Sequence, residues 1–240
     1  MTNSKPHPFI DKEIYERYGI VRRISLDLDQ NPHCMIFGAT NSGKTYLTKL
    51  LLAHIINYYS PEVYVCTLKD QDYDFLEGKK HYYTYQNYGA GITSFYERFQ
   101  ARLRKEETIN SRCVILLDEY NNFINSMSGK EQSRYKENVA YLVHMARAYR
   151  MNIIIAAQRV DISVIGTCRE SITCRIGLSV LSKQTVEMAF GDFSDTIKEF
   201  GGQGDGYLYI EGQMTTPVRI LVPSIRNPDS LETVIKQAVT

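Results

Sequence analysis

Residues 37–51 read FGATNSGKTYLTKLL, and within them Gly38–Thr45 follows the spacing GxxxxGK[ST] without deviation. Two glycines, three hydroxyl side chains and a lysine pack poorly, so such a segment suits a loop whose backbone must come close to a ligand. In this arrangement the N–H groups along Gly38, Ala39, Thr40, Asn41, Ser42, Gly43, Lys44 and Thr45 point inward and cradle phosphates. Lys44 reaches the terminal phosphates, and the Thr45 hydroxyl binds Mg2+. The dipole of a helix starting at the lysine adds positive potential at the same place.

A phosphate loop alone hydrolyses nothing; it needs an acid for the metal shell and a base for water. CVILLDEY (113–120) carries both. Four apolar residues take the chain through a sheet, and Asp118 emerges at the carboxyl end, where open α/β sheets bind ligands. Asp118 is placed to hold the metal shell of ATP-bound Mg2+ and Glu119 to act as general base. The competing view is that both acids simply open a helix, where they suit its dipole. Gln158 leaves the apolar run NIIIAAQ (152–158) at the corresponding strand end. A neutral amide there can bond the γ-phosphate or the attacking water; otherwise it is a strand cap.

These residues need elements to position them. Apolar runs at 34–37, 62–68, 113–118, 152–158 and 174–180 alternate with helical patterns near 45–58, 90–106, 131–150 and 183–190. Short apolar runs joined through helices imply crossover connections and a parallel sheet. Strands buried on both faces explain why the runs do not alternate. GIVRRISLDLD (19–29) alternates well enough for a strand or hairpin arm, and 202–223 reads as a strand, a turn and a strand. The expected organisation is an entry segment at 1–30, a motor domain at 31–225 and a tail or helix at 226–240.

The chain has 240 residues, 43% apolar, with a formal net charge of +1, so no global basic field points to nucleic acid. Between Met145 and Ile176, however, lie five arginines and two acids, a local excess of the kind phosphate contacts require. No run of about 18 apolar residues occurs, so no membrane span is expected, and the polar N-terminus is unlike a secretory signal. Five scattered cysteines without a CxxC pair fit small buried hydrophobes in a reducing, cytoplasmic setting better than zinc or disulfides. The tyrosine- and glycine-rich stretch 78–91 reads as a surface loop with partly buried rings rather than a base-stacking platform.

Five segments in order resemble the FtsK/SpoIIIE and HerA group of DNA-pumping ATPases: NPHCMIFGATNSGKT, ILLDEYNNFI, ARAYRMNIIIAAQRVDISVI, CRIGLSVLSKQT and GGQGDGYLY. The resemblance covers roughly residues 20–225. It implies a RecA-like P-loop fold, α/β with a mainly parallel sheet flanked by helices and a C-terminal β-hairpin. It further implies ring assembly, usually hexameric, with ATP between subunits and duplex DNA in the pore. The arginine of the family's ARA segment falls on Arg147, a candidate finger reaching a neighbour's γ-phosphate, with Arg175 second. The family's DNA-facing loops fall on Arg159 and Lys183, whereas Lys130, Arg134 and Lys136 read as a solvated helix face. GQGDG (202–206) lies near the nucleotide in the family; by itself it reads as a hairpin turn.

There are departures from the family pattern. Val160 stands at a frequent proline, Glu187 at a frequent basic residue, and Asn41 at a frequent glycine of the loop. Neither a membrane segment before the motor nor a winged-helix module is expected. The leading expectation is an ATP-driven DNA translocase serving transfer, segregation or genome packaging, with possible partner proteins of such a system. The alternatives are a protein-secretion ATPase of the same family and a low-turnover nucleotide-binding regulator.

Overall fold

The computed structural model describes residues 5–179, 181–198 and 202–240; Val180, Gly201 and residues 1–4, which fell within segments read above, lie outside the described residues. The strands are β1 (Phe9–Asp11), β2 (Arg23–Ile24), β3 (His33–Gly38), β4 (Glu62–Cys66), β5 (Tyr82–Tyr83), β6 (Cys113–Asp118), β7 (Met151–Ala157), β8 (Cys174–Leu178), β9 (Asp205–Ile210) and β10 (Val218–Leu221). They form one sheet in the order β2-β1-β10-β9-β8-β3-β7-β6-β4-β5. The run from β8 to β5 is parallel, and the strands from β9 to β2 add an antiparallel wing.

Helices α1 (Lys12–Tyr18), α2 (Lys44–Tyr59), α3 (Asp70–Tyr73), α4 (Tyr88–Leu103), α5 (Tyr120–Asn125), α6 (Gly129–Met145), α7 (Ile162–Ile165), α8 (Lys183–Phe190) and α9 (Asp229–Ala238) surround it. Successive strand residues enter two different cores, as the period of two demands. Met35, Phe37, Ile115, Leu117, Ile153 and Ile155 face α4, α6 and α8, while Cys34, Ile36, Val114, Leu116 and Ile154 face α2 and α9. Unbroken apolar runs are therefore what a sheet covered on both sides requires. Each buried leucine of α2, such as Leu47, Leu51 or Leu52, stabilises the layer by about 2 kcal/mol.

The expected elements differ in detail. The helix read as 131–150 ends at Met145 and tightens into a 3-10 turn at Ala146–Tyr149. Of GIVRRISLDLD only Arg23–Ile24 joins the sheet. Its alternation is real, because Ile24, Leu26 and Leu28 are buried. Yet the backbone N–H groups of Leu26 and Leu28 donate to Pro6 O and Tyr59 Oη instead of to a strand. Helix α1 went unread; it is short, with Asp11 capping Ile14 N–H and Gly19 closing it at φ 67°. The end segments join the same sheet and core: β1 pairs with β10, Ile235 of α9 is buried in the α2-side core, and His81 N–H donates to Thr240 O. All five cysteines are free and buried.

Candidate functional site

The crossovers bring the ends of β8, β3, β7, β6 and β4 side by side along one carboxyl edge. The phosphate loop leaves β3 at Gly38. A Cβ there would meet Leu178 O at 2.6 Å and Ser42 Oγ at 2.8 Å, so only glycine lets the loop turn against β8. Asn41 holds φ 64° and Gly43 φ 94°. Asparagine is among the few side chains that accept this left-handed region, which accounts for Asn41 at a family glycine. Lys44 opens α2, where the first backbone N–H groups lack helical partners and form an anion site. Its ammonium folds back onto Gly38 O at 2.7 Å and Ala39 O at 3.0 Å, and burial lowers its pKa. Ser42 Oγ is buried without a hydrogen-bond partner, a polar atom aimed into the same loop.

Beside the loop, Asp118 ends β6 and is 4% exposed. Burial, then the charge of Glu119, raises its carboxyl pKa to about 6. Thr67 Oγ1 lies 3.3 Å from Asp118 Oδ2, and Tyr88 Oη donates to Asp118 O at 2.9 Å. Glu119 adopts φ 53°, a conformation that costs a non-glycine residue about 1–3 kcal/mol. Its carboxylate is 3% exposed. Oε1 accepts from Lys69 Nζ at 2.7 Å and Oε2 from Asn122 Nδ2 at 2.8 Å. Asp72 Oδ2 accepts from Thr45 Oγ1 at 3.2 Å. Lys44, Thr45, Lys69, Asp72, Asp118 and Glu119 line one cavity of about 450 Å³.

That cavity fits a nucleoside triphosphate with Mg2+. It is lined by the start of α2 and by Lys44, which suit phosphates, and by the hard oxygen donors Thr45 and Asp118, which suit the cation. No group of three His, Cys, Asp or Glu side chains placed to hold a metal occurs among the described residues. Mg2+ takes one or two carboxylates and completes its shell with phosphates and water, a donor set that Thr45 and Asp118 can begin. Lys69 and Asp72 were not among the candidate residues read from the sequence.

A second cleft of about 630 Å³ opens on the other side of the loop, lined by Ala39, Thr40, Gln158, Arg159, Ser182 and Gln184 among others. Gln158 is exposed directly beyond β7 and thus stands beside the phosphate loop. Arg159 is exposed, and its carbonyl is held by Asn121 Nδ2 at 2.8 Å, which ties it to α5 just after Glu119. Lys183, 92% exposed at the start of α8, lies 3.8 Å from Glu187. Val160 is buried and fills the frequent proline position with an apolar side chain.

Arg147 is not in this cluster. It lies in the turn before β7, at the amino edge, exposed, with Nε donating to Asp29 O at 3.0 Å. Seven residues of β7 separate it from Gln158, about 20 Å of strand. Arg175 is occupied inside its own subunit by Ile172 O at 3.1 Å and Glu211 at 3.7 Å. Of the basic trio on α6, Lys136 donates to Ser163 O at 2.8 Å and Arg134 lies over the Tyr135 ring. The GQGDG segment is not the hairpin turn it reads as: it leads into β9, whose first two residues are Asp205 and Gly206, and residues 211–217 connect β9 to β10. Gly204 N–H donates to Ser42 O of the phosphate loop at 3.2 Å, Gln203 lines the first cavity, and Asp205 is paired with Lys12 of α1. In the 78–91 stretch, Tyr88 is fully buried inside α4 and Tyr85 is 65% exposed.

No protein-family model matches the chain. It is similar to the DNA translocase FtsK of Treponema pallidum, 28% identical over 225 residues, covering 81% of this chain and 27% of that protein. The chain thus spans about a quarter of the length of that relative. Among solved structures it is similar to the pCW3 conjugation coupling protein TcpA with ATPγS (TM-score 0.69, 20% identity, 97% of this chain and 75% of that one). The cytoplasmic domain of the type VII secretion ATPase EccC of Thermomonospora curvata superimposes at TM-score 0.70 with 17% identity, over 97% of this chain and 30% of that one. The genome packaging NTPase B204 of Sulfolobus turreted icosahedral virus 2, with ATPγS, does so at 0.53 with 16% identity, over 82% of this chain and 99% of that one.

Proposed function

We propose that this FtsK/SpoIIIE-type motor domain hydrolyses ATP and couples the reaction to movement of duplex DNA. The observation that carries the reading is the continuity of the carboxyl edge. One phosphate loop separates a nucleotide cavity from a cleft lined by the exposed Arg159, with Thr40 lining both. Phosphates lie against the loop N–H groups and Lys44, and Glu119 takes the proton of the attacking water. Thr45 and Asp118 would hold Mg2+, which would supply neutralisation of the phosphate charge. Gln158 bonds the γ-phosphate or the water and changes partners after hydrolysis. Since Arg159 follows it directly, and Asn121 ties the Arg159 carbonyl to the segment after Glu119, a shift at Gln158 is passed to the cleft.

The chain acts in this reading as a homo-oligomeric ring, with Arg147 of one subunit serving the nucleotide of the next. It works in the cytoplasm, with partner proteins of a transfer or packaging system. Among the described residues no helix is long and apolar enough to cross a membrane. DNA is favoured as cargo because Arg159 lines the cleft and the exposed Lys183 stands between its lining residues Ser182 and Gln184, and because the names of FtsK, TcpA and B204 concern DNA translocation, conjugation and genome packaging. The likeness to a secretion ATPase keeps a polypeptide as the rival cargo.

The test is binding of duplex DNA as a function of salt, alongside ATP hydrolysis with and without DNA. A motor that walks must hold the repeating phosphates, so affinity is expected to be indifferent to sequence and to fall by about 0.9 log units per contact per log unit of salt. DNA should raise turnover. Arg159→Ala and Lys183→Ala should each flatten the salt slope, and Glu187→Gln should tighten binding. Absence of DNA binding at low salt, with hydrolysis intact, would move the assignment to the polypeptide rival.

A further inference from the structure

We propose that Lys69 is the residue by which this site distinguishes a nucleoside triphosphate from a diphosphate. Its ammonium passes from Glu119 to the γ-phosphate when the triphosphate binds. The inference rests on the ATP-site reading above and extends it to a residue outside the phosphate loop and the acidic strand end.

The starting observation is that Glu119 is fully engaged. Its two oxygens accept from Lys69 Nζ at 2.7 Å and Asn122 Nδ2 at 2.8 Å, inside a site that leaves the carboxylate 3% exposed. With the ammonium on Oε1 and the Asn122 amide on Oε2, both carboxylate oxygens already accept a hydrogen bond. A base in this state is restrained. Lys69 itself is the mobile partner: its side chain is 46% exposed, and Glu119 is the only side-chain partner found for its ammonium among the described residues.

The placement of Lys69 is built rather than accidental. It follows β4, next to β6 in the sheet. Its backbone N–H donates to Thr67 Oγ1 at 3.0 Å, and the same hydroxyl lies 3.3 Å from Asp118 Oδ2. Three residues on, Asp72 receives the Thr45 hydroxyl at 3.2 Å. One short segment thus touches the base, the metal-shell acid and the metal-binding hydroxyl. A γ-phosphate seated beside Glu119 brings about two negative charges within reach of the ammonium, and a flexible four-carbon stem lets it follow them. Moving Lys69 to the phosphate gives a charge-assisted bond to the triphosphate alone and frees Glu119 Oε1 for water. A diphosphate ends short of Lys69 and leaves the pair closed.

The experiment is calorimetric titration of the chain with MgATPγS and with MgADP, in the unaltered protein and in Lys69→Met, Lys69→Arg, Glu119→Gln and the Lys69→Met/Glu119→Gln double variant. Losing one charge-assisted bond to the γ-phosphate should weaken MgATPγS about tenfold or more, while MgADP changes less than about twofold. Lys69→Arg should keep most of the preference, which a merely structural change would not. The double variant removes the buried carboxylate that Lys69→Met leaves unpaired, so it separates misfolding from loss of contact. Its discrimination should match that of Lys69→Met. Glu119→Gln alone, with the lysine released, should keep or increase the preference for MgATPγS. Equal effects of Lys69→Met on both nucleotides, or none on either, would overturn the proposal while leaving the nucleotide site in place. Failure of the unaltered chain to bind either nucleotide would overturn both.

Discussion

At the scale of single residues, the chemistry divides into groups that bind and groups that act. Lys44 lies on the phosphate loop, and Glu119 stands across the cavity from it at the end of β6. Lys44→Ala should therefore abolish tight nucleotide binding, whereas Glu119→Gln should bind MgATP and lose turnover by roughly 10²–10⁴. Single-turnover hydrolysis with parallel binding measurements separates the two, and near-normal turnover in Glu119→Gln would remove it from the base role. The residues that read clearly in the sequence are those whose type and spacing are set by local backbone needs. Gly38, Gly43 and Lys44 belong to one loop, and Asp118 with Glu119 ends one strand. Asn41 departs from the family pattern, but its φ of 64° shows the same backbone demand met by another side chain. Lys69 and Asp72 were illegible for the opposite reason. Their meaning lies in contacts across 50 and 27 positions of sequence, which no local pattern encodes.

At the scale of elements, strands buried on both faces and long helices were legible, because burial on two sides leaves an unbroken apolar run and packing on one side leaves a helical stripe. Short elements were not. Helix α1 rests on one cap at each end, and β2 and β5 are two-residue pairs that exist only because longer neighbours offer them hydrogen bonds. His33 shows how an element junction can set a global property. It opens β3, is 1% exposed, and its Nδ1 accepts from Ile153 N–H of β7 at 3.1 Å. Burial lowers its pKa to about 3, with the charges of His144 and Arg147 adding to the effect. The folded chain thus holds His33 neutral, while the unfolded chain binds a proton below its ordinary value of about 6.5. Between those values the unfolded state carries the extra proton, so stability falls as pH falls from about 6.5 toward 3. At about 1.4 kcal/mol per pH unit the loss reaches a few kcal/mol. His33→Gln retains an acceptor for Ile153 without a titrating ring. Denaturant unfolding between pH 7 and 4 should show a shallower acid decline in this variant, and parallel curves for the two proteins would remove His33 as its source.

At the scale of the whole molecule, the placement of Arg147 raises the sharpest question. Phosphate loop, acids and Gln158 share the carboxyl edge, and Arg147 stands at the amino edge, about a strand length away, exposed and tethered only through Asp29 O among the described residues. It cannot serve the nucleotide of its own subunit. In the proposed ring, the exposed arginine at one edge and the open nucleotide cavity at the other would be the two halves of a head-to-tail contact, the kind of interface that closes into a ring. Arg147→Ala should leave nucleotide affinity nearly intact yet lower turnover by about 10³ or more if the guanidinium stabilises charge on the neighbour's γ-phosphate. The decisive measurement mixes this variant with Glu119→Gln. Each alone should be inactive. In equal random mixtures about one boundary in four joins an intact Glu119 from one subunit to an intact Arg147 from the next, so hydrolysis should reappear and scale with the mixing ratio, peaking near equality. Mixing confirmed by mass, with no recovery of hydrolysis, would confine Arg147 to holding Asp29 and the entry to β3. Recovery would show that the working unit is the boundary between two copies.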